Sequence, residues 1–539
     1  MPPAMESEPE VPSRLRRRFL LAAGAAGSLL LPGAFAPALA QSEGALRLLR
    51  SPRRALVIGN AAYRAVPALR NPGNDADALA EALQSLGFEV SRQRDATREA
   101  MQGAIGAFTR ELAARGAVGL FYFAGHGVQL GWRNYLLPVD AAIASPEDIA
   151  GRCLDLSGLV EGIRRAGNPM NLVVLDACRD NPFGTVFADA PRGLSQMDAP
   201  ANTLLAYATA PGHTADDGDG ANGLYTQHLL REMQVREAKI EDVFKRVRLG
   251  VRRASKGTQV PWESTSLEED FWFLPPEQLR RRSQEEEERE FAAEIALFEQ
   301  AKLAREPAPI ENYLRRYPSG RFAELAQLRL DQVLRAQGER PVEIPSSKGN
   351  PFTAGTVRAD TRFKVGDRWT YDRVDRVLFG GKPERFTSEV TAITDSQVIL
   401  NGGEAVRDLL GNQVRFRDGR EMTPRQDQPL DYAVGKRWST QYTISKGGKP
   451  LGRVHMDFRV VARETIAVPA GTFDCFRIEA SGINRLPGRP DLELAITRWD
   501  APDRVRQAVA TEEVARMVIK GHPQTRRSLR TELVSFEQR

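Results

Sequence analysis

Two stretches of the sequence end on a side chain able to do chemistry. "FYFAGHGVQL" (121–130) is an aromatic and apolar run that stops at His126, held between Gly125 and Gly127, and "NLVVLDACRDNPF" (171–183) is a second apolar run that stops at Cys178. A thiolate is intrinsically nucleophilic and its pKa responds to its surroundings. An imidazole can take the thiol proton and later return it to a departing amine. Gly125 and Gly127 leave room for a substrate backbone, and the amides of Gly127 and Cys178 are candidates to hold a developing oxyanion. Alone, a buried cysteine is usually a small hydrophobe, and a histidine in an apolar run is usually a satisfied core residue. Together, at matching strand ends, the two are a candidate catalytic dyad. A metal site would need a third His or Cys at ligand spacing, and the sequence has none there.

His126 and Cys178 are 52 residues apart, so the fold must bring them together. Residues 55–273 alternate strand-like and helix-like runs, which predicts an α/β domain with a mainly parallel sheet. "ALVIG", "VGLFYFA", "NLVVLDA" and "LLAYATA" suit strands covered on both faces. Leu79, Leu83 and Leu86 mark one helix, Met101, Ile105, Phe108 and Leu112 a second, and Ile240, Val243, Phe244, Val247 and Val251 a third. The segment "LSGLVEGIRRAG" lies between the two reactive positions. One right-handed crossover through it would make their strands neighbours, with both side chains at the carboxyl ends where such sheets place their sites.

"YFAGHG" and "LDACRD" resemble the His and Cys motifs of caspase-like cysteine peptidases, specifically the bacterial metacaspase-type relatives of the caspase (peptidase C14) family. "NPGNDADAL", "YATAPG" and the closing "QVPWESTSLEEDFWF" follow in the family's order, so the resemblance covers residues 52–276. It implies a cysteine-type endopeptidase with Cys178 as nucleophile and His126 as general acid and base. Asp176 stands two residues before the cysteine, where caspases carry Gln and metacaspases Asp. Asp75 falls where metacaspases place a second pocket carboxylate. Two carboxylates would favour a cationic side chain, so the implied cleavage follows Arg or Lys. Asp75 could equally serve as a helix N-cap or first-turn residue. The sequence departs from the family at Ala124, where metacaspases commonly have Ser, and at "CRDN", where they continue "CHSG"; Arg179 there reads equally as a pairing group or a surface charge. Metacaspases are often calcium-dependent, and the loop "PGHTADDGDGANG" carries Asp216, Asp217 and Asp219 without the spacing of a recognised calcium loop. The expectation is no required cofactor, with calcium as an optional activator. His213 in that loop is a rival histidine in polar, glycine-rich surroundings.

The remaining sequence frames this domain. "RRRFL" (16–20), an apolar segment and "ALA" (38–40) read as a twin-arginine-type signal peptide over residues 1–40, implying export to the periplasm. The other 499 residues hold no apolar run of spanning length. A net charge of +5, from 75 basic and 70 acidic residues, gives no reason to expect nucleic acid. Three widely spaced cysteines, Cys153, Cys178 and Cys475, do not make a disulfide framework, and Cys475 reads as a core residue. Residues 281–337 read as a short helical, tetratricopeptide-like segment or a helical spacer, 338–358 as a Pro/Gly/Ser linker, and 359–539 as an antiparallel β domain of unknown role. The expected partners are protein or peptide substrates with basic residues, and a cell-envelope partner for the C-terminal domain. The rival class is a weakly active or inactive signalling scaffold acting through its C-terminal domains. A thiol oxidoreductase is disfavoured because no C-x-x-C occurs.

Overall fold

The computed structural model describes residues 37–178, 182–183, 193–213, 220–277, 283–342, 345, 347–377, 382–519 and 522–539, without the side chains of residues 37–42, 178, 284 and 518. The twin-arginine pattern, Arg179 and the acidic residues 216, 217 and 219 lie outside the described residues. The first described helix, α1 (Pro37–Arg50), continues through the expected cleavage point and buries Leu48 against the α/β domain. Among the described residues no helix is long and apolar enough to cross a membrane.

The α/β domain is built on the strands β1 (Arg53–Gly59), β2 (Glu89–Arg94), β3 (Val118–Leu130), β4 (Arg133–Leu136), β5 (Leu154–Asp155), β6 (Asn171–Cys178), β7 (Thr203–Tyr207) and β8 (Trp262–Thr265). The main sheet runs β2-β1-β3-β6-β7-β8, parallel except for β8. Its faces are covered separately, which is why the central strands are apolar throughout rather than alternating. Against one face lie α2 (Pro72–Ser85), through Leu79 and Leu83, and two helices that follow β7, α6 (Leu224–Met233) and α7 (Ile240–Ala254). Against the other lie α3 (Arg98–Arg115), through Phe108 and Leu112, and α5 (Leu156–Ala166), through Leu159 and Ile163. The short α4 (Asp148–Arg152) precedes β5. The helix α5 is the crossover that returns the chain from β3 to β6, and Gly167 ends it in the left-handed conformation at φ 61°.

Beyond this domain, α8 (Gln284–Leu303), α9 (Pro307–Arg316) and α10 (Ala323–Ala336) bury Phe291, Phe298, Tyr313 and Phe322 together. A capping box at Ser283 and Glu286 starts α8. The chain bends between α9 and α10 through Pro318–Gly320, and the buried Glu294 carboxylate accepts from the Tyr313 hydroxyl at 3.0 Å and from Arg321 Nη1 at 2.7 Å.

The segment read as a linker is docked rather than free. Asn350 Nδ2 donates to Ser195 Oγ and to the Gln196 carbonyl, both at 2.9 Å. Asp198 accepts from Thr353 Oγ1 at 2.6 Å and from the Ala354 amide at 2.7 Å, and Arg133 stacks over the Phe352 ring.

The C-terminal region is antiparallel, as its alternation requires. Met456, Phe458 and Val460 on the strand Lys449–Val468 all point into one core. Gly447 and Gly448, with φ 55° and 75°, make the two-residue turn before that strand. The other glycine pair, at 380–381, lies outside the described residues. Twelve described strands close into a barrel, sealed where Arg368–Asp375 pairs with the final strand His522–Glu537.

One buried side chain fastens the end of β1 to the chain that carries His126. Asn60 Nδ2 donates to the Leu137 carbonyl at 2.9 Å, its Oδ1 accepts from the Ala96 amide at 2.9 Å, and its own amide donates to the Ala124 carbonyl. Replacing it leaves the buried Ala96 amide unmatched, at about 1–3 kcal/mol, and the Leu137 carbonyl with the longer 3.4 Å contact of the Tyr63 hydroxyl. Asn60→Ala is therefore expected to lower the urea midpoint of the α/β domain clearly, while an exposed substitution such as Gln84→Ala leaves it unchanged.

Candidate active site

The β3–β6 ladder pairs Gly119 with Asn171 and continues without a slip to its last rung, His126 against Cys178. Paired residues on adjacent parallel strands lie about 4.8 Å apart. The crossover thus brings the two positions side by side at the carboxyl end of the sheet. Alternation along β3 and β6 puts positions 122, 124, 172 and 174 on one face, and 126, 176 and 178 continue that parity. The Cys178 side chain itself lies outside the described residues.

His126 is buried and held on several sides. Its Nε2 faces the Pro67 carbonyl at 2.9 Å. A carbonyl only accepts, so in the neutral ring Nε2 carries the proton and Nδ1 is the basic nitrogen. The His126 amide donates to the Tyr63 hydroxyl at 2.8 Å, and the two rings lie 4.7 Å apart. The flanking glycines have distinct reasons. Gly125 has φ 153°, and a Cβ there would fall 2.5 Å from the Tyr63 hydroxyl, which needs that space to reach the His126 amide. A Cβ at Gly127 would press on Ala177 Cβ and Leu194 Cδ2 at 3.2 Å. The Leu137 amide donates to the His126 carbonyl across the β3–β4 hairpin. This makes Gly127 and Leu136 a non-hydrogen-bonded pair, so the Gly127 amide is directed away from β4 and towards the β6 side.

Asp176 and Asp75 come together around Tyr122 and the start of α6. Asp176 Oδ2 accepts from Thr226 Oγ1 at 2.7 Å and from the Tyr122 hydroxyl at 3.4 Å. Asp75, buried in the first turn of α2, accepts from Asn222 Nδ2 at 2.9 Å and from the Gly223 amide at 3.0 Å. Gly223 is the N-cap of α6, so Asp75 ties one helix start to another as well as lending charge to this region. Burial first, then the carboxylates of Asp176 and Asp75, hold the Tyr122 phenol well above its usual range; burial and Asp176 do the same for Tyr225. Tyr63, the Pro67 carbonyl, Tyr122, Thr226 and Asn222 were not singled out from sequence. Of these only Tyr122 carried a signal, by sharing the strand face of Ala124 two residues before it. Ala124 itself is packed in the core, and the hydroxyls beside Asp176 come from Tyr122 and Thr226.

The other two cysteines are poor nucleophiles. Cys153 and Cys475 are free thiols buried in apolar surroundings, and burial pushes each up to about 12. Cys475 lies in the barrel core with Trp369 and Phe473. His213 sits on the loop after β7, where its amide donates to the Ala210 carbonyl. Among the described residues no group of three His, Cys, Asp or Glu side chains is arranged to hold a metal ion.

Residues 52–272 match the family model of the caspase domain of peptidase C14. The chain is also similar to mucosa-associated lymphoid tissue lymphoma translocation protein 1 of Homo sapiens, at 29% identity over 220 residues, which are 40% of this chain and 26% of that protein. Its homolog in Mus musculus is 28% identical over 229 residues, 42% of this chain and 27% of that protein. The chain thus spans about a quarter of the length of the curated relatives it matches. The order of strands, the His and Cys motifs at the ends of neighbouring strands and the family match converge: residues 52–272 form a caspase-like domain of the peptidase C14 family.

Proposed function

We propose that the chain is an exported cysteine endopeptidase that cleaves peptide bonds after Arg or Lys through Cys178 and His126. The observation that carries this reading is the last rung of the β3–β6 ladder, which sets position 178 beside a histidine already oriented by the Pro67 carbonyl. In the proposed reaction the Cys178 thiol gives its proton to His126 Nδ1 as sulfur bonds to the scissile carbonyl carbon. The carbonyl oxygen takes up the displaced electron pair and is held by the amides of Gly127 and Cys178. Collapse of this intermediate breaks the carbon–nitrogen bond, and the leaving amine takes the proton from His126. Water, deprotonated by the same imidazole, then hydrolyses the thioester.

The preference for a basic residue rests on Asp176 and Asp75, whose carboxylates sit beside buried hydroxyls and close to one another's field. A substrate guanidinium would be drawn to them and an acidic side chain repelled. Export rests on the twin-arginine pattern at Arg16–Leu20 and the small-residue motif at 38–40. Calcium is proposed as an optional activator, and the C-terminal barrel as the part that meets a cell-envelope partner.

Fluorogenic peptides ending in Arg, Lys or Asp, assayed with and without calcium, test the activity. The mature chain is expected to turn over the Arg and Lys peptides only. Cys178→Ala is expected to lose that turnover by about four orders of magnitude or more. Absence of turnover in every arm, with Cys178 unlabelled by an Arg-ended electrophile, would favour a scaffold instead.

Specificity has its own test. Asp176→Asn keeps the shape but removes the charge, and a hydrogen bond to a charged group contributes about 1.5–3 kcal/mol. The Arg-peptide kcat/KM is expected to fall about 10- to 100-fold. An unchanged value would exclude Asp176 from the pocket.

A further inference from the structure

A cavity of about 400 Å³ lies where the caspase-like domain meets the helical segment, away from the His126–Cys178 rung. It is lined by His228 and Arg231 of α6, Arg246 and Arg253 of α7, and Arg315 of α9. Four guanidinium groups line it against one carboxylate, Glu232, and Glu311 lies behind the lining. Glu232 is engaged by Arg231, and Glu311 pairs with both Arg253 and Arg315.

Arg246 is the group this arrangement leaves unanswered. Its Nε donates to the Arg315 carbonyl at 2.9 Å, but its Nη1 is buried with no hydrogen-bond partner. Among the described residues no carboxylate forms an ion pair with it. A buried guanidinium donor without an acceptor is costly, and an anion in the cavity would supply one. His228 adds a neutral donor. Arg231 Nη2 approaches His228 Nδ1 at 2.9 Å, and because arginine has no acceptor, Nδ1 accepts and Nε2 carries the proton. Burial and then the Arg231 charge hold His228 below its usual pKa, in keeping with that neutral form. The wall is shaped for this pair, since a Cβ on Gly250 would fall 2.4 Å from His228 Nδ1.

We infer that this cavity binds a small, multiply charged oxyanion of the phosphate class, held by Arg246 and Arg231 across the junction of the caspase-like domain and the helical segment. Guanidinium forks match the oxygen geometry of such anions, and the volume falls in the range of small-molecule sites. The helix that presents His228 and Arg231 begins at the acidic pocket, where Asp75 and Asp176 hold its first turn.

Calorimetric titration of the mature chain with inorganic pyrophosphate, at constant ionic strength against sodium chloride, tests the assignment without any reliance on peptidase activity. The expected result is saturable binding at one site per chain, weakened tenfold or more in Arg246→Gln. Arg231→Gln, at a largely exposed helix position, is expected to weaken it as well and serves if the first variant does not fold. No saturable heat, or an affinity unchanged in the folded variants, would overturn the inference.

Discussion

The site depends on one backbone register, that of β3 against β6. A parallel ladder between two strands buried on both faces has little freedom to slip, because a shift of one residue turns every side chain to the opposite face. Here the apolar residues of both strands are divided between two cores, with Leu120 and Tyr122 in one and Phe121 and Phe123 in the other. Slippage would exchange those sets. The packing that stabilises the sheet therefore also sets position 178 beside His126, and no separate device is needed to bring them together.

Around that rung, smaller contacts convert proximity into orientation. Pro67 and Tyr63, both on the loop after β1, fix the ring and the amide of His126, and Asn60 anchors the start of the same loop. On the other side, α6 is attached by its first turn to both acidic residues. Its far end lines the arginine-rich cavity at the helical segment, so the acidic pair and the domain junction share one helix. The docked segment 350–354 adds another tie, joining the barrel side of the chain to the loop that leads into β7.

Much of this was legible in the sequence because it rests on periodicity and residue type. Apolar runs ending at positions 126 and 178 revealed the two strands that pair there, and Leu79, Leu83, Phe108 and Leu112 revealed the helices that cover the sheet. What was not legible depends on contacts between distant segments. A proline carbonyl carries no side-chain signature, and Thr226 reaches Asp176 only because α6 packs beside β6. Closure of the barrel depends on Arg368 meeting Glu537, which no local alternation reveals. The Pro/Gly/Ser composition of 338–358 reads as a linker and carries no sign of the contacts that Asn350 and Phe352 make with the caspase-like domain. Asp75 stands in the first turn of its helix, one of its two sequence readings, and its carboxylate lies close enough to Tyr122 to act on the phenol.

Whether His126 and Cys178 act as one unit is read most directly from the pH dependence of Cys178 alkylation by iodoacetamide in the chain and in its His126→Ala variant. With the imidazole present, the rate should rise at a pH below that of an ordinary thiol, and in the variant the profile should shift upward towards the unperturbed thiol range, about 8.5. Superimposable profiles would mean that the thiol does not sense the imidazole and that the two residues do not act as one unit.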